Sequence, residues 1–246
     1  MMNKEQKDDL LPSAGIAAMQ CYVQPFLSLH NIDCMEYMKG LPDNAFELAI
    51  VDPPYGINIG SMNFTQSVNG GVAKRNDYSK FDKDWDKCVP DSSYFKELMR
   101  VSKNQIIWGW NYYVEHLSSC KCYIVWDKKT EDKYSNDFAD CETAWTSFNR
   151  PAIVYRYLWS GMMQSDMKNK EKRIHPTQKP VNLYKRIIDD FAKPGDKILD
   201  THLGSASSAI AATKKGFEFV GLEASPTIFQ NAVKRYKAEG TLRELL

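Results

Sequence analysis

Apolar and polar positions along the chain fall into two alternating kinds of segment. Four short apolar runs end on polar, glycine or proline residues: Phe46–Val51 before Asp52-Pro53-Pro54, Gln105–Trp108 before Gly109, Lys197–Leu199 before Asp200, and Phe217–Leu222 before Glu223. Near-continuous runs of this length suit strands buried on both faces, as in a parallel sheet. Tyr123–Trp126 and Ala152–Tyr155 are two further strand candidates. Between the runs the apolar period lengthens to that of a helix. Asp91 or Ser92 caps a helix carrying Phe95, Leu98, Met99 and Val101. Pro180 opens another, with Leu183, Tyr184, Ile187, Ile188 and Phe191 on one face, and Pro194-Gly195-Asp196 stops it. Ser205–Thr213 and Pro226–Tyr236 complete the helical set. Strands alternating with helices predict an α/β doubly wound sheet.

Two stretches depart from this rhythm. Residues 57–90 are polar, contain Gly70-Gly71 and carry Lys74, Arg75, Lys80 and Lys83, while residues 158–174 carry Lys168, Lys170, Lys172 and Arg173. Loops of that length without internal structure are usually functional or mobile. A chain of 246 residues fits one domain, read as 21–246 after a flexible leader over 1–20. Its 43% apolar and 26% charged residues are ordinary for a water-soluble fold. No stretch reaches the roughly 20 apolar residues that span a bilayer. Lys4, Lys7, Asp8 and Asp9 stand where a signal peptide would be apolar, so a cytoplasmic protein with no membrane partner is expected. Six scattered cysteines then read as reduced thiols, and Cys120-Lys121-Cys122 lacks the second pair a zinc site needs, so no metal is expected. The net charge of +1 leaves room for a local nucleic-acid-binding face without demanding one.

Asp52-Pro53-Pro54-Tyr55 carries the most chemistry. It closes an apolar strand, and ligands of open α/β sheets bind at the carboxyl ends of strands. The prolines stiffen the backbone so that the Pro53 carbonyl can be aimed; Asp52 adds an anionic acceptor, and Tyr55 an aromatic face for a planar base. An amino group on an aromatic ring has a delocalised lone pair and is a poor nucleophile. Two acceptors that hold its hydrogens out of plane localise the pair toward an electrophile. Further on, Asp200-Thr201-His202-Leu203-Gly204-Ser205-Ala206-Ser207 links a strand to a helix of small residues. Gly204 permits close backbone approach, and Glu223 ends the next strand about 20 residues later, where an acid can grip ribose hydroxyls. His175-Pro176-Thr177-Gln178-Lys179-Pro180 bunches donors before a helix, a suitable place to hold a carboxylate.

Together these motifs resemble the DNA amino-methyltransferases, in the permuted group whose catalytic motif precedes the glycine motif. The family's (D/N/S)PP(Y/F) is met at Asp52–Tyr55 and its HPTQKP at His175–Pro180. DPFxGSGT is met more loosely: Asp200, Gly204 and Ser205 agree, whereas Thr201, His202, Ala206 and Ser207 differ. Asn31-Ile32-Asp33-Cys34 is similar to the segment whose acid meets a cofactor adenine, and Trp126-Asp127-Lys128 and Glu142-Thr143-Ala144-Trp145 resemble small phage-type members.

The resemblance implies a Rossmann-like, S-adenosylmethionine-dependent methyltransferase fold with helices on both faces. Its mostly parallel seven-stranded sheet has the last strand antiparallel. It implies an enzyme that methylates the N6 of adenine in double-stranded DNA, with the base flipped into a pocket floored by Tyr55. The cofactor would meet Asp33, Cys34, Asp52, His175, Thr177, Gln178, Lys179, Asp200, Leu203, Gly204, Ser205, Ser207, Glu223 and Ala224. DNA would meet insertions at about 57–90 and 127–174, through Lys74, Arg75, Lys80, Lys83 and Lys128. A homodimer and a cognate restriction enzyme are partners the resemblance leaves open. N4-cytosine methylation uses the same geometry, although cytosine members more often carry Ser at the Asp52 position. A DNA-binding module without activity is the reading from another class, and an intact Asp52–Tyr55 counts against it.

Overall fold

The structure, a computed structural model, describes residues 20–58, 86–130, 139–160 and 163–240. Its first half contains β1 (Cys21–Gln24), β2 (Leu27–His30), α1 (Cys34–Lys39), β3 (Phe46–Val51), α2 (Ser92–Val101), β4 (Ser102–Trp108) and β5 (Tyr123–Asp127). There follow β6 (Cys141–Thr146), β7 (Ile153–Arg156), β8 (Trp159–Ser160), β9 (Met163–Gln164), α3 (Val181–Phe191), β10 (Lys197–Asp200), α4 (Ser207–Lys214), β11 (Glu218–Leu222) and α5 (Pro226–Glu239). The strands and helices expected from the apolar pattern are all present. Asp91 caps α2 by accepting from Ser93 N and Tyr94 N, and Pro180 stands immediately before α3.

Nine strands form one sheet in the order β1-β2-β11-β10-β3-β4-β6-β5-β7, and β8 and β9 form a separate hairpin. From β2 to β4 all neighbours are parallel. From Leu48 to Val51 side chains alternate across this sheet, as buried strands require. Ala49 and Val51 join the core that α1 and α2 cover, as does Phe46 at the start of the strand, whereas Leu48 and Ile50 join the core under α3, α4 and α5. Each fully buried Leu, Ile or Val side chain contributes roughly 1.5–3 kcal/mol.

The sheet differs from the seven-stranded one expected. The interior antiparallel strand is β6, which is not the last in the chain; it doubles back from β5 and inserts between β5 and β4. Only Ala144, Trp145 and Thr146 of β6 are buried, so no continuous apolar run marks it. At one edge β1 pairs antiparallel with β2, and at the other β7 pairs parallel with β5. Residues 127–174 are therefore partly core, and not one DNA-facing insertion.

Chain direction across the sheet places the site. From β3 the chain steps outward to β4, while from β10 it steps the opposite way to β11, and β3 and β10 are hydrogen-bonded neighbours through Ile198↔Leu48 and Leu199↔Ala49. Two connections leaving adjacent strands in opposite directions open a crevice beyond the strands' carboxyl ends. Asp52 follows β3 and Thr201 follows β10, so both motifs arrive at that crevice.

Candidate active site

A cavity of about 470 Å³ opens at the crevice. Asp52 and Pro54 form one wall, residues 201–205 with Ser207 and Ser208 a second, Glu223–Pro226 a third, and His175, Thr177, Gln178, Lys179 and Tyr184 a fourth; Asp33 and Cys34 close one end. The size falls within the roughly 300–1,000 Å³ usual for a small-molecule or cofactor site.

Glu223 is held by two backbone amides. Its Oε2 accepts from Gly204 N at 3.0 Å and its Oε1 from Ser225 N at 3.0 Å, which pins the carboxylate over the glycine turn. Burial pushes this carboxyl above the usual carboxylate range, against the pull of those amides. Gly204 stands at φ +52, a conformation that glycine reaches without steric cost. Asp33 caps α1 through Oδ1, which accepts from Met35 N at 2.9 Å and Glu36 N at 3.1 Å. Burial raises the Cys34 thiol to about 12, which keeps it protonated and unreactive.

The opposite wall is an ion network. Lys179 Nζ donates to Asp52 Oδ2 at 2.5 Å, to Glu142 Oε2 at 3.0 Å and to Tyr55 OH at 3.1 Å, and the Tyr55 hydroxyl donates to Asp52 Oδ1 at 2.7 Å. Lys128 Nζ donates to Glu142 Oε1 at 3.0 Å. The Lys179 side chain is only 2% exposed and lies over the Trp108 ring, 5.0 Å from its centroid. Burial pulls its pKa down, but Asp52 and Glu142 more than offset that and hold it charged. Burial likewise pushes Glu142 up, and Lys179 and Lys128 bring it below its ordinary value. Asp52 stays raised, because burial and Glu142 outweigh Lys179. The tetrapeptide backbone is held separately: the Tyr113 hydroxyl bridges the carbonyls of Pro53 at 2.8 Å and Pro54 at 2.7 Å.

The glycine turn and the His175–Pro180 segment are fastened to each other. Arg235, from α5, donates to Ser205 O, Ser207 Oγ and Glu171 Oε2. Glu171 in turn accepts from Val181 N, the first amide of α3, at 2.9 Å.

Residues 92–234 match the family model of N6/N4 methyltransferases, described as DNA methylase. The chain belongs to this DNA methylase family. The type II methyltransferase M.HinfI of Haemophilus influenzae is 24% identical over 248 residues, 83% of this chain and 67% of that one. Among solved structures, a complex of M1.HpyAVI with SAM matches at a TM-score of 0.51 and 18% identity, over 85% of this chain and 99% of that one. PvuII DNA methyltransferase, described as cytosine-N4-specific, matches at 0.54 and 11% identity, over 85% of this chain and 86% of that one. These likenesses show a shared methyltransferase fold.

Nearly all the residues expected to meet a cofactor line the one cavity, although they come from distant parts of the chain; Lys179 and Asp52, for example, are 127 residues apart. Asp200 does not line it. Its Oδ2 accepts from Ser208 Oγ at 2.6 Å and its Oδ1 from His202 N at 3.0 Å, so this carboxyl, raised by burial to about 7, builds the turn beneath the cavity. The donors of the His175–Lys179 segment are also partly committed. Gln178 bonds the backbone of Ile174 and Lys172, Lys179 faces Asp52, and the amide at the start of α3 already holds Glu171. Thr177 and His175 also line the wall and pair with each other, Thr177 Oγ1 lying 3.0 Å from His175 Nδ1; burial and Lys179 lower the His175 ring to about 4.

Tyr55, expected to floor a base pocket, is instead stacked on Tyr112 with ring centroids 4.9 Å apart and is absent from the cavity lining, as is Pro53. Lys128, expected to meet DNA, turns inward to Glu142, and its ammonium lies over the Trp126 ring, 5.8 Å from the centroid. Lys74, Arg75, Lys80 and Lys83 lie outside the described residues. Sequence reasoning passed over Glu142 as a site residue, as well as Tyr113 and Arg235. Glu142 had a resemblance to draw notice, whereas Tyr113 and Arg235 act on residues far away in the chain and no local pattern marks them.

Proposed function

We propose that this methylase transfers a methyl group from S-adenosylmethionine to N6 of adenine in DNA, within the permuted group of its family. One observation carries the reading: the acceptor Asp52 and the ribose-type acceptor Glu223 line the same cavity. The residues fit the cofactor. Glu223 is a half-buried carboxylate tied to backbone amides, which suits a vicinal diol; Asp33 and Ala224 line the same cavity for the adenine end, and Thr177 and His175 for the methionine end. When bound, S-adenosylmethionine supplies an electrophilic methyl group on a sulfonium.

The chain's own part is to prepare the nucleophile. A target base cannot reach a crevice of this kind while stacked in a duplex, so it is flipped out. Asp52 then accepts an N–H of the exocyclic amino group and directs its lone pair. The carbonyl of Pro53, held by Tyr113, keeps a second lone pair for the other N–H. A base that stacks on the covered face of Tyr55 displaces Tyr112. The surplus proton leaves after transfer. Outside the described residues, Lys74, Arg75, Lys80 and Lys83 offer contacts to DNA phosphates. The acidic residue at position 52, rather than serine, favours adenine over N4-cytosine.

Nucleoside analysis of duplex DNA incubated with the enzyme and labelled S-adenosylmethionine tests this reading. Label is expected on N6-methyladenine. Label on N4-methylcytosine would shift the assignment to cytosine, and label on C5 of cytosine would refute the mechanism.

A further inference from the structure

The network behind Asp52 contains a second carboxylate that the proposed chemistry does not use. Glu142, on β6, is half-buried and accepts from the same Lys179 ammonium as Asp52. All three donors of the Lys179 ammonium are engaged, by Asp52, Glu142 and the Tyr55 hydroxyl. Lys128 takes the other Glu142 oxygen. Two cations therefore alternate with two carboxylates, in the order Lys128–Glu142–Lys179–Asp52.

A buried ion pair of one Lys and one Asp would leave the whole ammonium charge on the carboxylate that must receive the base. Such an acceptor is weakened, because a neighbouring full charge outcompetes a neutral amino N–H. A second carboxylate on the same ammonium divides that hold. Lys128 compensates Glu142, so the division leaves no excess negative charge in the wall.

We propose that Glu142 is a positioning residue for methyl transfer: by sharing the Lys179 ammonium with Asp52, it leaves the Asp52 carboxylate oriented yet free to accept the base's amino N–H. The inference rests on the reading of Asp52 as the base acceptor. Lys128 acts one step further out, by setting how strongly Glu142 competes. Other titratable groups also face Asp52: Tyr55 from its own loop, Tyr113 after the turn at Trp110–Tyr112, Tyr94 from α2, Tyr184 from α3 and Asp200 from β10. Their hydroxyls are raised by burial and stay neutral across the working pH range. Asp200 is common to every variant compared.

The sign of the effect on pH dependence separates positioning from a merely structural role. Glu142→Gln removes a negative neighbour of Asp52 and gives Lys179 wholly to it. Both changes favour the ionised carboxylate, so its protonation moves to lower pH. Lys128→Met removes a positive charge, so protonation of Asp52 moves to higher pH.

Single-turnover methylation with saturating DNA and cofactor, followed against pH, reads both shifts without interference from product release. Glu142→Gln is expected to slow transfer roughly 10- to 100-fold near neutral pH, as misplacement at a reacting centre does. The acid limb of its profile should move down, and that of Lys128→Met up, with cofactor affinity unchanged within a few-fold. Limbs that stay in place, or move together, would overturn the proposal. Were Glu142→Gln to fail to fold, the upward shift in Lys128→Met still decides it. An Asp52→Ala enzyme that keeps its turnover would instead remove the underlying reading, whereas an inactive Asp52→Ala with unmoved limbs would remove only this inference.

Discussion

Single polar residues at strand ends define the site, and their partners define how they work. Asp52, Gly204 and Glu223 were legible in the sequence because each interrupts an apolar run and local chain geometry alone says why. Tyr113, which ties down Pro53 and Pro54, was not, because its hydrogen bonds reach a segment that only the fold brings near. Ala206 shows a departure from the family pattern at this scale. It occupies φ +63, where the pattern's glycine would carry no Cβ penalty of about 1–2 kcal/mol. Its fully buried methyl offsets part of that, at about 0.8 kcal/mol per buried carbon. Glu223 gives the direct residue-scale prediction. Glu223→Ala removes the acceptor proposed for two hydroxyls and should weaken S-adenosylmethionine binding by roughly 1–3 kcal/mol. Calorimetry that finds unchanged affinity in a folded variant would place the ribose elsewhere.

At the scale of elements, those buried on both faces were readable and those that are half exposed were not. β3 and β11 carry nearly unbroken apolar runs, and β4 and β10 carry short ones at Ile106–Trp108 and Ile198-Leu199, whereas β1 and β6 alternate with exposed positions or begin with them. The basic stretch over 158–174 read as loop because its strands β8 and β9 are only two residues each, and beyond them two side chains order its described part. Gln164 exchanges bonds with the backbone of Glu171, and Gln178 holds Ile174 and Lys172. That clamp sets Glu171 between α3 and α5, where it joins the start of α3 to Arg235 and so to the glycine turn. The Arg235 side chain is 2% exposed, so truncating it leaves Glu171 buried without its cation. Arg235→Met should therefore lower stability by about 3–5 kcal/mol. In a double-mutant cycle with Glu171→Gln, measured by urea unfolding, the two changes should be coupled by about 0.5–3 kcal/mol. Strict additivity would mean that α3 and α5 are fixed independently.

For the whole molecule, the decisive feature is the reversal between β3 and β10, which gathers motifs from both ends of the chain into one crevice. Alternation of strands and helices made the α/β class legible, but not the order of strands, since pairing partners leave no local trace. The same compact core sets the acid stability. His30 is buried against the Tyr37 ring, its Nδ1 has no hydrogen-bond partner among the described residues, and burial lowers its pKa to about 4. A histidine depressed in the folded state takes up its proton on unfolding, so stability is full above the unfolded value near 6.5 and is lost as pH falls toward 4. His175 and His202 act in the same direction, also at about 4, whereas Asp200, raised to about 7, acts in the opposite one. His30→Phe keeps a ring against Tyr37 and removes the proton site. Between pH 7 and 4.5 the wild type should lose about 2 kcal/mol more unfolding free energy than this variant. Equal losses would show that His30 does not titrate with unfolding.

In the proposed function one cavity presents a methyl donor to an amino group held by Asp52, with binding and chemistry carried by different residues. Asp52→Ala tests it most directly, with methyl transfer to DNA and S-adenosylmethionine affinity measured on the same preparation. Transfer is expected to fall at least roughly 100- to 1000-fold, as when a preorganised polar group is lost from a reacting centre, while affinity stays within a few-fold. Near-normal turnover in the variant, or a loss of cofactor affinity that accounts for the whole loss of rate, would contradict the account.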